Sequence, residues 1–179
     1  MNISTQNPGL RFHWSEIEKQ AKAQQLDPLL IGAIVLTESS GNTDAFRHEP
    51  NFYNRYIKPY KLYAGWNPRR ISSSYGLMQL MAPVAHERGY PKDRPVEYLF
   101  VPEVGLEWGC KHLRYLFDWA GEFNTPLVPV SEQDRLEAVV ASYNGGRGGN
   151  KPTDRPKRNA SYVRKVLTNL SLLKTGAAS

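Results

Sequence analysis

The chain has 179 residues, 40% hydrophobic and 22% charged, enough to bury the core of one domain. Its single cysteine, Cys110, excludes an internal disulfide, and no Cys/His spacing of the zinc type is present. The formal charge of +6 admits nucleic acid, an anionic polymer or plain solubility as its reason.

Asn7-Pro8-Gly9 falls in a polar opening stretch, so residues 1–13 are expected to form a flexible arm and 14–179 the domain proper. No basic segment followed by an apolar run opens the chain, and no signal peptide is expected. A helix is predicted from Ser15 to Gln25, with Ser15 as N-cap. Asp27-Pro28 reads as N-cap plus N1 proline of a second helix. That helix carries Leu30, Ile31, Ile34, Val35 and Leu36 around most of its circumference, and is expected to be central. It stops at Ser39-Ser40-Gly41. Its longest apolar run, Leu29 to Leu36, is too short to span a bilayer, so no membrane insertion is expected.

The stretch from Asn42 to Tyr75 is poorly periodic, yet it carries Phe46, Phe52, Tyr53, Tyr56, Tyr60, Tyr63 and Trp66. Those aromatics mark an ordered excursion rather than a linker. A short helix is predicted around Gly76 to Arg88. Pro102 opens a longer one, with Leu106, Cys110, Leu113, Phe117 and Ala120 on one face. Ser131 with Asp134 resembles a capping box, followed by Leu136, Val139, Val140 and Tyr143 at helical spacing and a Gly145–Gly149 stop. Lys151, Arg155, Lys157 and Arg158 form a basic segment rich in Gly and Pro, the composition of a solvated loop. A last helix spans Tyr162 to Leu173. The result is a mostly α fold of about six helices with little or no β-sheet.

Glu38 is the residue with chemical promise. It ends a buried-type helix, where desolvation and the negative end of the helix dipole both favour the neutral acid. Such a carboxyl can act as a general acid near neutral pH. Gly76-Leu77-Met78-Gln79 allows close backbone approach at the glycine, and Gln79 can donate and accept, which suits an amide on a ligand. Tyr143-Asn144 at a helix end suits sugar binding. Gly145-Gly146-Arg147-Gly148-Gly149 is not a phosphate loop, because it follows a helix and lacks the Gly-Lys-Ser/Thr ending.

Glu38-Ser39, Gly76-Leu77-Met78-Gln79, Ser142-Tyr143-Asn144 and Tyr162-Val163 stand in the order and spacing of the soluble lytic transglycosylases, and the chain resembles that family of the lysozyme-like superfamily. The resemblance runs from about Leu26 to Leu173. Gly41-Asn42 after the acid and Gly109-Cys110-Lys111-His112-Leu113 agree with it. Ser142 stands where the family has alanine and His112 where it has tyrosine, and the Asn42–Tyr75 insertion is longer than in short members. Phe46 to Tyr53 resembles phage-borne wall-degrading enzymes.

The resemblance implies a single lysozyme-like domain that cleaves the bond between N-acetylmuramic acid and N-acetylglucosamine in peptidoglycan. Glu38 would protonate the glycosidic oxygen and then, as a base, close a 1,6-anhydro ring, so that no second carboxylate is needed. Tyr162 would hold Glu38. Ser39, Met78, Gln79, Tyr143 and Asn144 would line the sugar site. No cofactor or metal is implied, and the expected partner is the glycan strand, met by a monomer, with no nucleic acid. The expected setting is host cytoplasm before release to the wall, or a virion. A hydrolytic muramidase using Glu49 or Asp44 to position water, or an inert wall-binding virion protein, remain alternatives.

Overall fold

The computed structural model describes residues 7–61, 63–155 and 157–176. Nine α-helices run in order among them: α1 Pro8–Arg11, α2 Trp14–Gln24, α3 Pro28–Ser39, α4 Pro50–Phe52, α5 Pro68–Ile71, α6 Ala82–Glu87, α7 Pro102–Gly121, α8 Glu132–Gly145 and α9 Ala160–Thr175. The short ones account for the excess over about six. As the Asp27-Pro28 pair implies, Asp27 accepts from the Leu29 amide and Pro28 opens α3. Ser131 likewise accepts from the Asp134 amide to start α8.

Helix α3 is the hub. Leu30, Ile31, Ala33, Ile34 and Val35 are buried in a core shared with α2, α7, α8 and α9, and the helix itself packs chiefly against α9, α2 and α1. Completely burying such aliphatic side chains contributes about 1.5–3 kcal/mol each. A second cluster gathers the excursion: Ile57, Ile71, Tyr75, Leu80, Ala85, Tyr90, Val96, Leu99 and Trp108, with Phe52, Tyr53, Tyr63 and Trp66 packed on its edge.

Ser15 is not an N-cap, since α2 starts at Trp14 behind His13, and three further expectations need correction. The flexible arm expected over residues 1–13 does not extend to Asn7 and beyond. Residues 1–6 lie outside the described residues, but Asn7 caps α1 and Leu10 is fully buried in the main core, so the fold begins by Asn7. The helix expected over Gly76–Arg88 starts only at Ala82, because Gly76 and Gln79 both take left-handed φ values, 67° and 47°, which end any helix. In its place is a hairpin. Strands β1 Phe46–His48, β2 Ser73–Tyr75 and β3 Leu80–Met81 form an antiparallel sheet in that order. Tyr75 pairs with Leu80, so Gly76-Leu77-Met78-Gln79 is the loop that joins β2 to β3. Third, the basic segment is not uniformly solvated. Lys157 is 5% exposed, its ammonium donating to the carbonyls of Lys151, Pro152 and Asp154 at 2.6, 3.1 and 2.9 Å.

Candidate active site

The C-terminal tip of α3, the β2–β3 loop, the end of α8 and the start of α9 converge. Glu38 is half-buried on the last turn of α3, which closes with Ser40 in the left-handed conformation. The Tyr162 hydroxyl donates to Glu38 Oε1 at 2.6 Å. In the residue just before Glu38, Thr37 Oγ1 donates to Ala33 O and accepts from Asn169 Nδ2 at 3.0 Å. Tyr162 and Asn169 are seven residues apart on α9, hence on one face, and both clasp the tip of α3.

Burial is the main influence on Glu38 and raises its pKa above the ordinary 4.5; the Tyr162 bond and the Arg47 charge oppose this, and the Glu49 charge assists it. The same surroundings keep Tyr162 a neutral donor, its pKa raised first by burial and then by the Glu38 charge. Arg47 and Glu49 belong to β1 and the residue after it, and they pair with each other, Arg47 Nε donating to Glu49 Oε1. Glu49 is the second acid noted in the sequence; Arg47 carried no signal there.

The loop after β2 is tied to α3 through Ser39. Its hydroxyl lies 2.8 Å from Leu77 O and 3.1 Å from Val35 O, and it accepts from the Gly41 amide at 3.2 Å. A single hydroxyl proton is shared between the two carbonyls. On its other side Gly76 lets the loop sit against the Val96–Phe100 turn, because a Cβ there would fall 2.3 Å from Leu99 O. Met78 is fully buried against Gly109 of α7, where a Cβ would fall 2.4 Å from Met78 Sδ. The Met78 carbonyl accepts from the Tyr143 hydroxyl at 2.8 Å. Tyr143 is thereby fixed, and burial followed by the Glu38 charge holds its pKa well above 10.

Gln79 is placed differently from expectation. Its Nε2 donates to Ala45 O and Gly76 O at 2.8 and 3.0 Å. The first ties the loop to the residue before β1 and the second closes the loop on itself, leaving Oε1 as the group available to a ligand. Asn144 is exposed at the end of α8, its Oδ1 accepting from Asn159 Nδ2 at 3.1 Å. Thus hydrogen bonds gather Glu38, Ser39, Gln79, Tyr143 and Tyr162 around the tip of α3 and the β2–β3 loop, with Met78 buried beneath them and Asn144 exposed at the end of α8. Among the described residues no three His, Cys, Asp or Glu side chains gather as a metal site requires, and no helix is long and apolar enough to cross a membrane.

No curated protein matches the sequence. Among solved structures the chain resembles an inactive mutant of the lytic transglycosylase Slt from Pseudomonas aeruginosa, with a TM-score of 0.62 at 20% identity over 93% of this chain. The likeness is one of fold, and the chain spans 25% of that protein's length. The family description "Transglycosylase SLT domain" matches residues 15–164, from the second residue of α2 to the Tyr162 turn of α9, and on that match the chain belongs to the SLT transglycosylase domain family.

Proposed function

We propose that the protein is a peptidoglycan lytic transglycosylase in which Glu38 acts first as general acid and then as general base. The observation that carries this reading is the half-buried Glu38 carboxyl, its pKa raised by burial, held through Oε1 by the Tyr162 hydroxyl at 2.6 Å. With Oε1 accepting from Tyr162, the acid proton resides on Oε2, facing the cleft. It passes to the glycosidic oxygen as the bond to the muramoyl anomeric carbon breaks. The substrate's own acetamido oxygen stabilises that carbon. The Glu38 carboxylate then takes the proton of the muramoyl 6-hydroxyl, which closes the 1,6-anhydro ring. Tyr143 and the Gln79 Oε1 line the sugar, and Ser39 acts by pinning the β2–β3 loop to the tip of α3.

The hydrolytic alternative needs a second carboxylate to hold water. Glu49 stands within electrostatic reach of Glu38, but its Oε1 already accepts from Arg47. Digestion of purified peptidoglycan with mass spectrometry of the fragments decides: anhydro-muramoyl ends support transglycosylation, reducing muramoyl ends support hydrolysis, and intact glycan overturns both. The phage setting expected from Phe46–Tyr53 belongs to this proposal.

A further inference from the structure

Beyond Tyr143 lies a row of half-buried rings. His112 lies 5.5 Å from Tyr143 by ring centroid, and Tyr115 6.2 Å from His112 in a stacked arrangement. Two guanidinium groups flank Tyr115. Arg88, at the C-cap of α6, stands 3.5 Å from the ring centroid, and Arg147, in the glycine-rich loop after α8, stands 5.3 Å from it. The two arginines reach one ring from different elements, and both charges also act on His112, which burial first and these cations second hold neutral at a pKa of about 3.

Charge balance at this end of the row is incomplete. Arg88 has one acidic partner, the exposed Glu87, at 3.0 Å. Among the described residues Arg147 has none. Arg88 Nε and His112 Nδ1 are buried and without a hydrogen-bond partner among the described residues. The Arg88 side chain is only 12% exposed. Leaving a buried donor unpaired is costly, and such groups call for a partner that the chain does not supply. Arginine forks suit planar carboxylates and combine with stacking on aromatic faces.

From this arrangement we infer that Arg88, Arg147 and the His112–Tyr115 pair form a carboxylate subsite at the end of the cleft, which takes the acid borne on the 3-position substituent of a muramoyl residue. The inference rests on the proposed function, since it names the part of that substrate which the basic end reads. Two sources share this chemistry: the carboxylates of a peptide stem, or the lactyl acid left when the stem is removed. A neutral glycan offers neither.

The test is a binding series on the Glu38→Gln protein, which spares the ligand from turnover. Three ligands of equal length are compared: muramoyl strands with stems, the same strands with stems removed, and a neutral chito-oligosaccharide. Arg147 is exposed, so Arg147→Gln should leave the melting temperature unchanged. It should weaken binding of acid-bearing strands by about tenfold, the scale of one hydrogen bond to a charged group. The neutral ligand should bind as before. Arg88→Gln with Arg147→Gln should widen the gap. Loss confined to stem-bearing strands names the stem as the source, and loss confined to stripped strands names the lactyl acid. Equal weakening on the neutral ligand, or no weakening on any, overturns the subsite. Cleavage by the unsubstituted protein is read separately: if it leaves wall glycan intact, the functional reading fails whatever the binding series shows.

Discussion

The Tyr162 hydroxyl reaches Glu38 across 124 positions of sequence to form a 2.6 Å hydrogen bond. Helix α9 is thereby tied to the one carboxyl of α3, whose pKa burial raises. Burial pushes Glu38 toward the neutral acid, and the tyrosine pulls it back toward the carboxylate. An acid that must give a proton and then take one back needs both states within reach near neutral pH.

Glu38→Gln should lower wall-degrading turnover by about 10²–10⁴-fold, the usual contribution of general acid–base catalysis. The same change should stabilise the fold. Because burial raises the Glu38 pKa, the folded protein holds that proton more tightly than the unfolded chain does. Stability therefore declines as pH rises from the ordinary carboxylate value through the raised folded value, and stays diminished above it. The amide carries no charge to desolvate. Its melting temperature should exceed the parent's at neutral pH, with the gap closing in acid. A variant that melts lower at neutral pH would contradict the sign of the shift.

Tyr162→Phe removes the bond that favours ionised Glu38. The Glu38 pKa should rise further, so the alkaline limb of kcat/KM, where the acid loses its proton, should move to higher pH. The height of the profile should fall by about 1–3 kcal/mol of lost stabilisation for one buried hydrogen bond. A profile that shrinks without moving would mean that the hydroxyl orients substrate rather than Glu38.

Much of this geometry was legible in the chain. Asp27-Pro28 announced α3, the apolar run announced its burial, and the spaced Tyr143 and Tyr162 came to bond Met78 O and Glu38. The sheet was hidden because its strands have two or three residues, too few for alternation, and because Ser73 and Ser74 are buried where hydrophobic residues would give the pattern. Leu10 was hidden because it falls in an aperiodic stretch read as an arm. The Arg88–Tyr115–Arg147 arrangement exists only once α6, α7 and the loop after α8 are brought together.

The β2–β3 loop depends on two ties of different kinds. Ser39→Ala removes the hydroxyl that bridges Leu77 O, Val35 O and the Gly41 amide. It should cost about 0.5–1.5 kcal/mol of stability and lower turnover through a displaced loop. Gly76→Ala should be worse, because its φ of 67° is strained for alanine and its Cβ would meet Leu99 O at 2.3 Å. Thermal melts beside kcat and KM separate the two. Equal melting temperatures for both variants would show that the loop does not need the glycine.

The aromatics of the excursion divide by burial. Phe46 is 42% exposed and Tyr60 68%, whereas Phe52 and Tyr63 pack on the second cluster. Phe46→Ala should raise KM and hardly change the melting temperature, if flat exposed rings serve a long glycan. Phe52→Ala should do the reverse, losing up to about 3–5 kcal/mol as a truncated core aromatic does. Identical behaviour of the two would remove the excursion from substrate binding.

The basic loop supplies the last contrast. Lys157 donates to three backbone carbonyls and is nearly inaccessible, while Lys151 and Arg158 are exposed and Arg155 pairs with Asp134. Lys157→Met keeps the stem but orphans those carbonyls. It should destabilise by about 1–3 kcal/mol at any salt concentration, since a buried bond is little screened. Lys151→Gln with Arg158→Gln should change stability by no more than about 0.5 kcal/mol. It should instead weaken attraction to anionic wall polymer, most clearly at low salt, where exposed charges act over distances well beyond the roughly 8 Å of physiological ionic strength. Sedimentation with purified walls across a salt series reads the second effect, and urea denaturation reads the first. If the exposed pair changes stability while Lys157 changes only wall binding, the assignment of staple and surface charge is reversed.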